Sequence, residues 1–112
     1  MAPASHPAPG LLPTVAVTAG GRRAELTLTG DLDAATLREL EERLVRPPLD
    51  RAGEWVLDMS GVSHLDLACA YALLRAATQR PEIAALTIRG ARRPVQRTLR
   101  HAGIDTIAEI TD

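Results

Sequence analysis

The chain has 112 residues, of which 46% are hydrophobic, enough for one compact core but hardly two. Its formal charge of -1 and pI near 6.3 argue against a general nucleic-acid or membrane surface. Aromatic content is 2%, only Trp55 and Tyr71, which removes the stacking platforms that single-strand binders use.

One cysteine, Cys69, allows no internal disulfide and suits a reducing compartment. No apolar stretch is long enough to span a bilayer, and the first residues lack the basic start and apolar middle of a secretory signal. A cytoplasmic protein is expected. The three histidines, His6, His64 and His101, are far apart with no ligand spacing, so no metal and no cofactor is assigned.

Residues 1–12 are proline-rich without periodicity and are expected to form a flexible tail ahead of a single domain at 13–112. Pro13–Ala19 and Ala24–Thr29 alternate apolar and polar residues around Gly20-Gly21, which predicts a β-hairpin. Gly30-Asp31-Leu32-Asp33 breaks the pattern. Asp33 is placed to cap a helix over Ala34–Arg46, with Leu37, Leu40 and Leu44 on one face. Pro47-Pro48 ends it.

The centre of the chain reads EWVLDMSGVSHLDLACAYALLRAA, Glu54–Ala77. Trp55, Val56 and Leu57 favour a strand that stops at Asp58, Met59–Leu65 reads as a loop, and an alanine- and leucine-rich helix follows Asp66. Asp66 is expected to cap that helix. The helix should bury Leu67, Ala70, Leu73, Leu74 and Ala77 and expose Ala68, Tyr71, Ala72 and Arg75. Its positive end is the one place where the residues point to function. Gln79-Arg80-Pro81 stops it. Ile83–Arg89 reads as a strand, Arg93–Ala102 as a third helix with Val95, Leu99 and Ala102 inward, Gly103 as its stop, and Ile104–Ile110 as holding a last short strand.

The order β-β-α-β-α-β-α-β implies an α/β fold: a mixed, mostly parallel sheet with an antiparallel N-terminal hairpin and three main helices. Functional loops in such sheets gather at the carboxyl ends of strands, which brings together Gly30–Asp33, Ser60–Asp66 and Gly90–Pro94.

GDLDAAT (Gly30–Thr36) and LDMSGVSHLD (Leu57–Asp66), in this element order and with RPVQRTLRHAGI near the end, resemble the STAS domain, the fold of bacterial anti-sigma factor antagonists. The resemblance runs from about Thr14 to the C-terminus. It implies a non-enzymatic module that binds an anti-sigma factor, often a serine kinase, without nucleic acid or membrane, as a monomer or weak dimer. It implies that the kinase phosphorylates a serine at the start of the second helix, in the pattern aspartate, serine, phosphorylatable serine, glycine. Here the matching run is Asp66, Leu67, Ala68, Cys69, so Ala68 stands at the phosphoacceptor position without a hydroxyl. The expected partner-binding residues are Asp31, Asp66, Leu67, Ala68, Cys69, Tyr71, Ala72 and Arg75.

Two other functions compete with a protein-binding regulator. One is a small-ligand (nucleotide) sensor or a scaffold in a larger signalling complex, with Arg92, Arg93, Arg97 and Arg100 as a basic stripe near Gly90–Pro94. The other is a thiol enzyme built on Cys69 in the first turn of a helix; a small buried thiol is the favoured reading of that residue.

Overall fold

The computed structural model describes residues 14–20 and 22–111. The tail expected at 1–12 lies outside them, as do Pro13 and Gly21 of the expected hairpin. The elements run β1 (Thr14–Gly20), β2 (Arg23–Leu32), α1 (Ala34–Leu44), β3 (Glu54–Leu65), α2 (Leu67–Thr78), β4 (Ala85–Arg89), α3 (Arg93–Ala102), a 3-10 turn (Ile104–Thr106) and β5 (Ala108–Thr111). The sheet order is β1-β2-β3-β4-β5. β1 pairs antiparallel with β2, and every other pair is parallel.

Each crossover moves one strand further in the same direction, so with right-handed connections all three helices fall on one face of the sheet. α2 packs between α1 and α3. Leu26, Leu28, Leu57 and Met59 of the sheet and Leu40, Leu44, Leu73 and Leu99 of the helices fill the space between them. Trp55 is buried there too, and its indole N–H donates to the Leu49 carbonyl at 3.0 Å, which satisfies its one polar atom.

The uncovered face is polar. Arg89 of β4 reaches Glu25 of β2 at 3.4 Å, crossing the intervening β3 diagonally between Val56 and Asp58. Val56 stays buried on this side.

Several boundaries differ from the sequence expectation. β2 continues through Gly30-Asp31 to Leu32, and the segment expected as a loop, Met59–Leu65, continues β3. The β2–β3 register shifts between Thr27 and Thr29 and again between Gly30 and Asp31. Buried positions on β3 then step 59, 62, 65 rather than alternating, which hides the strand from a period-two reading. At Gly61 a Cβ would sit 2.7 Å from Thr29 Cγ2, so the strands close there over a glycine. α1 stops at Leu44 with Val45 as its C-cap, because Pro47 disfavours helix at Arg46 and the last turn has nothing to build on. β4 begins only at Ala85, leaving Ile83 exposed, and Ile104–Thr106 is a 3-10 turn before β5.

α3 and its stop at Gly103, in the left-handed conformation, are as expected, with Val95, Leu99 and Ala102 inward.

Candidate partner-binding site

The carboxyl ends of the parallel strands and the N-terminus of α2 meet at one end of the molecule. β2 delivers Asp31 opposite His64 of β3. The Ser63 hydroxyl donates to the Asp31 carboxylate at 2.5 Å, joining residues 32 apart in the chain. The Asp66 backbone N–H donates to the Leu32 carbonyl at 2.8 Å, which ties the start of α2 to the end of β2.

Asp66 occupies the N-cap of α2 in extended conformation, and its carbonyl accepts the N–H groups of Cys69 and Ala70 at 3.0 and 3.1 Å. The expected side-chain cap does not form. The Asp66 carboxylate lies instead 2.6 Å from His64 Nε2, because residues 64 and 66 share one side of the extended chain and an imidazole competes well with a backbone amide. Both partners are solvent-accessible, so the pair adds little to stability. Asp33 does cap α1. Its carboxylate accepts the Ala35 N–H at 3.0 Å, and Thr36 returns a bond to the Asp33 backbone.

α2 presents Leu67, Ala68, Tyr71 and Arg75 to solvent. Leu67 and Tyr71 are 43% and 40% exposed. Three assignments change here. Leu67, expected inward, is exposed: as the first helical residue it precedes the turn in which Cys69 and Ala70 reach the core. Ala72, expected outward and in the contact surface, is 3% exposed. It lines the depression between α1 and α2 with Glu41, Val45, Ala76 and Gln79, where Arg75 bridges to Glu41 at 3.1 Å. A small side chain is what lets the two helices approach. Leu74, also expected inward, is only half-buried against the core.

Cys69 is wholly buried, and its thiol donates to the Asp33 carbonyl at 3.4 Å. Burial pushes the thiol pKa up, and the Asp66 charge adds to this. A buried thiol tuned this way is a poor nucleophile, which argues against the thiol-enzyme alternative, and Cys69 lies inside rather than on the surface.

The structure therefore gathers Asp31, Asp66, Leu67, Ala68, Tyr71 and Arg75 at or beside one accessible face and sets Cys69 and Ala72 inside. Sequence reading placed Ser60–Asp66 at this end but named neither Ser63 nor His64 among the contact residues; once Met59–Leu65 is a strand, both fall beside Asp31. Asp58, near the middle of β3, accepts the Ser60 backbone N–H at 3.0 Å and the Ser60 hydroxyl at 2.7 Å. Those bonds, the backbone one foremost, hold its carboxyl below the usual value, and Arg89 assists. Among the described residues no group of three His, Cys, Asp or Glu side chains is placed to hold a metal ion. No helix of the described residues is long and apolar enough to cross a membrane.

The family model described as Mlab, STAS domain matches residues 15–111. No curated protein matches the chain. Among solved structures, an anti-sigma factor antagonist from Mycobacterium paratuberculosis is 18% identical with a TM-score of 0.76, covering 92% of this chain and 87% of that one. The anti-sigma factor antagonist SpoIIAA in its unphosphorylated form is 10% identical with a TM-score of 0.67, covering 88% and 89%. The Bacillus cell fate determinant SpoIIAA in the phosphorylated form is 10% identical with a TM-score of 0.66, covering 88% and 92%. At these identities the likeness is one of fold.

Proposed function

The chain belongs to the STAS domain family, and from that premise we propose that it is a non-catalytic cytoplasmic interaction module of the anti-sigma factor antagonist type. Its partner is an anti-sigma factor or a serine kinase-like protein. The contact surface is the outer face of α2, Leu67, Ala68, Tyr71 and Arg75, with Asp31 and Asp66 at its rim.

The observation that carries this reading is the exposure of Leu67, Ala68 and Tyr71 together at the first two turns of α2. Apolar side chains brought out of the core on a rigid helix, beside an arginine and a polar rim, have the make-up of a protein contact. The likeness in fold to two states of SpoIIAA, phosphorylated and unphosphorylated, supports a regulatory setting.

Ala68 has a methyl group where the family pattern places the phosphoacceptor hydroxyl. A phosphate there would bring about -1.5 to -2 charges to this face at pH 7. With alanine the face keeps one charge state, so the module stays competent to bind whatever the activity of the kinase.

The test is capture from a lysate of the source organism by the wild-type protein and by Ala68→Glu, with mass spectrometry of what is retained. An anti-sigma factor or kinase-like protein held by wild type and reduced at least tenfold by Ala68→Glu is the expected result. Equal retention by both proteins removes α2 as the contact. Incubation with that partner and ATP should leave the intact mass unchanged, and a stoichiometric added phosphate on this loop overturns the fixed-state reading.

A further inference from the structure

α3 carries a feature that the α2 contact does not use. From Ile83 to Ile104 the chain holds Arg89, Arg92, Arg93, Arg97 and Arg100 and no carboxylate, while its remaining eight arginines are set against all 14 carboxylates. The near-zero total therefore hides a segregated charge. Arg93, Arg97 and Arg100 follow i, i+4, i+7 and fall within an arc of about 60° on a helix of 3.6 residues per turn. Val95, Leu99 and Ala102, the buried residues, lie on the opposite side.

The three arginines are exposed, and among the described residues no carboxylate lies within ion-pair distance of them or of Arg92. Helix stability does not account for the row. Arg92 and Arg93 stand at the positive pole of α3, where a cation is unfavourable, and the N-cap makes no side-chain hydrogen bond. Only Arg100, in the last turn, suits the helix.

We propose that the Arg93–Arg97–Arg100 row is a second docking strip, which takes an acidic helix of a protein partner whose carboxylates repeat at i, i+4 and i+7. The strip goes beyond the α2 contact and does not depend on it. Steps of about 6 and 4.5 Å along the axis, set by the 1.5 Å rise per residue, match a helical carboxylate row of the same spacing. The guanidinium fork meets a carboxylate in two parallel hydrogen bonds. Lipid fits less well, because the outer side of α3 offers no large apolar side chain to enter it. A long nucleic acid would run past the strip onto surface where carboxylates outnumber arginines.

The experiment measures anisotropy of a fluorescein-labelled helical peptide with glutamates at i, i+4 and i+7, using the full chain. Wild type should bind it, more weakly as salt rises. Arg93→Gln with Arg97→Gln and Arg100→Gln should lose at least tenfold, and Arg97→Gln alone about threefold. A charge-matched control on and just beyond α1, Arg38→Gln with Arg43→Gln and Arg46→Gln, should stay within twofold, as should Ala68→Glu, which separates this strip from the α2 contact. Thermal melts show whether each variant is folded, and the single substitution carries the test if the triple is not. Equal losses from the α1 and α3 triples, no peptide binding at low salt, or tighter binding of duplex DNA or of phosphatidylserine vesicles would overturn the proposal.

Discussion

Cys69 gives its thiol hydrogen to the backbone carbonyl of Asp33 at 3.4 Å, so the first turn of α2 is pinned to the N-cap of α1. The same carbonyl accepts the Thr36 N–H at 3.0 Å and the Thr36 hydroxyl at 2.9 Å. With the thiol wholly buried and its pKa raised, the native protein should react with a disulfide reagent such as DTNB at pH 8 at least a hundredfold more slowly than the urea-unfolded chain. Labelling at the rate of the unfolded chain would mean that this end of α2 opens freely. Cys69→Ser should cost about 1–3 kcal/mol in urea unfolding, since it puts a stronger polar group into the same apolar seat.

Much of this architecture was legible because local signals and the fold agree. Pro47-Pro48, Gln79-Arg80-Pro81 and Gly103 stop helices for reasons that need no tertiary context. The second half of β3 was not legible. Met59–Leu65 carries Ser60-Gly61 and loses its alternation, which are loop signals, yet parallel pairing with β2 keeps it extended. Faces of α2 failed for another reason. The expected face put Leu67 in and Ala72 out, whereas close approach of α1 demands a small residue at Ala72 and the start of the helix lifts Leu67 clear of the core. Asp66 shows a third limit: a residue can take the N-cap position by backbone geometry while its side chain bonds elsewhere.

That last distinction yields a comparison between two aspartates. Asp33 makes both halves of a capping box, so Asp33→Ala should cost about 1 kcal/mol. Asp66 makes no side-chain cap bond and only an accessible pair with His64, so Asp66→Ala should cost about 0.5 kcal/mol or less. Urea midpoints at pH 7 decide the order. A larger loss at Asp66 than at Asp33 would show that the cap forms in solution.

Two left-handed glycines separate backbone strain from crowding. Gly103 has φ 90° and nothing within 4 Å of a built Cβ, so Gly103→Ala meets only the conformational cost of about 1–2 kcal/mol. Gly90 has φ 76°, and its Cβ would sit 2.8 Å from Ser60 Cβ and 3.1 Å from Ser60 Cα. Backbone cannot swing aside, so Gly90→Ala should cost at least about 1 kcal/mol more than Gly103→Ala. Equal losses in thermal or urea unfolding would contradict the tight approach of β3 to the end of β4.

Asp58 supplies a pH dependence whose sign follows from its surroundings. Its folded pKa lies below the ordinary 3.8, held down first by the Ser60 backbone N–H, then by the Ser60 hydroxyl, with Arg89 assisting against a small desolvation cost. A depressed carboxyl pKa contributes stability above the unfolded value and loses it as pH falls through the folded value. The stability difference between wild type and Asp58→Asn should therefore be flat above about pH 5 and shift against wild type below about pH 4. The pH-dependent part should stay under about 1 kcal/mol, because the carboxylate is in contact with solvent. Ser60→Ala should shrink this part without abolishing it, since the backbone donor remains. Urea titrations of the three proteins from pH 2.5 to 7 measure it, and a difference that grows in wild type's favour as pH falls would reverse the assignment.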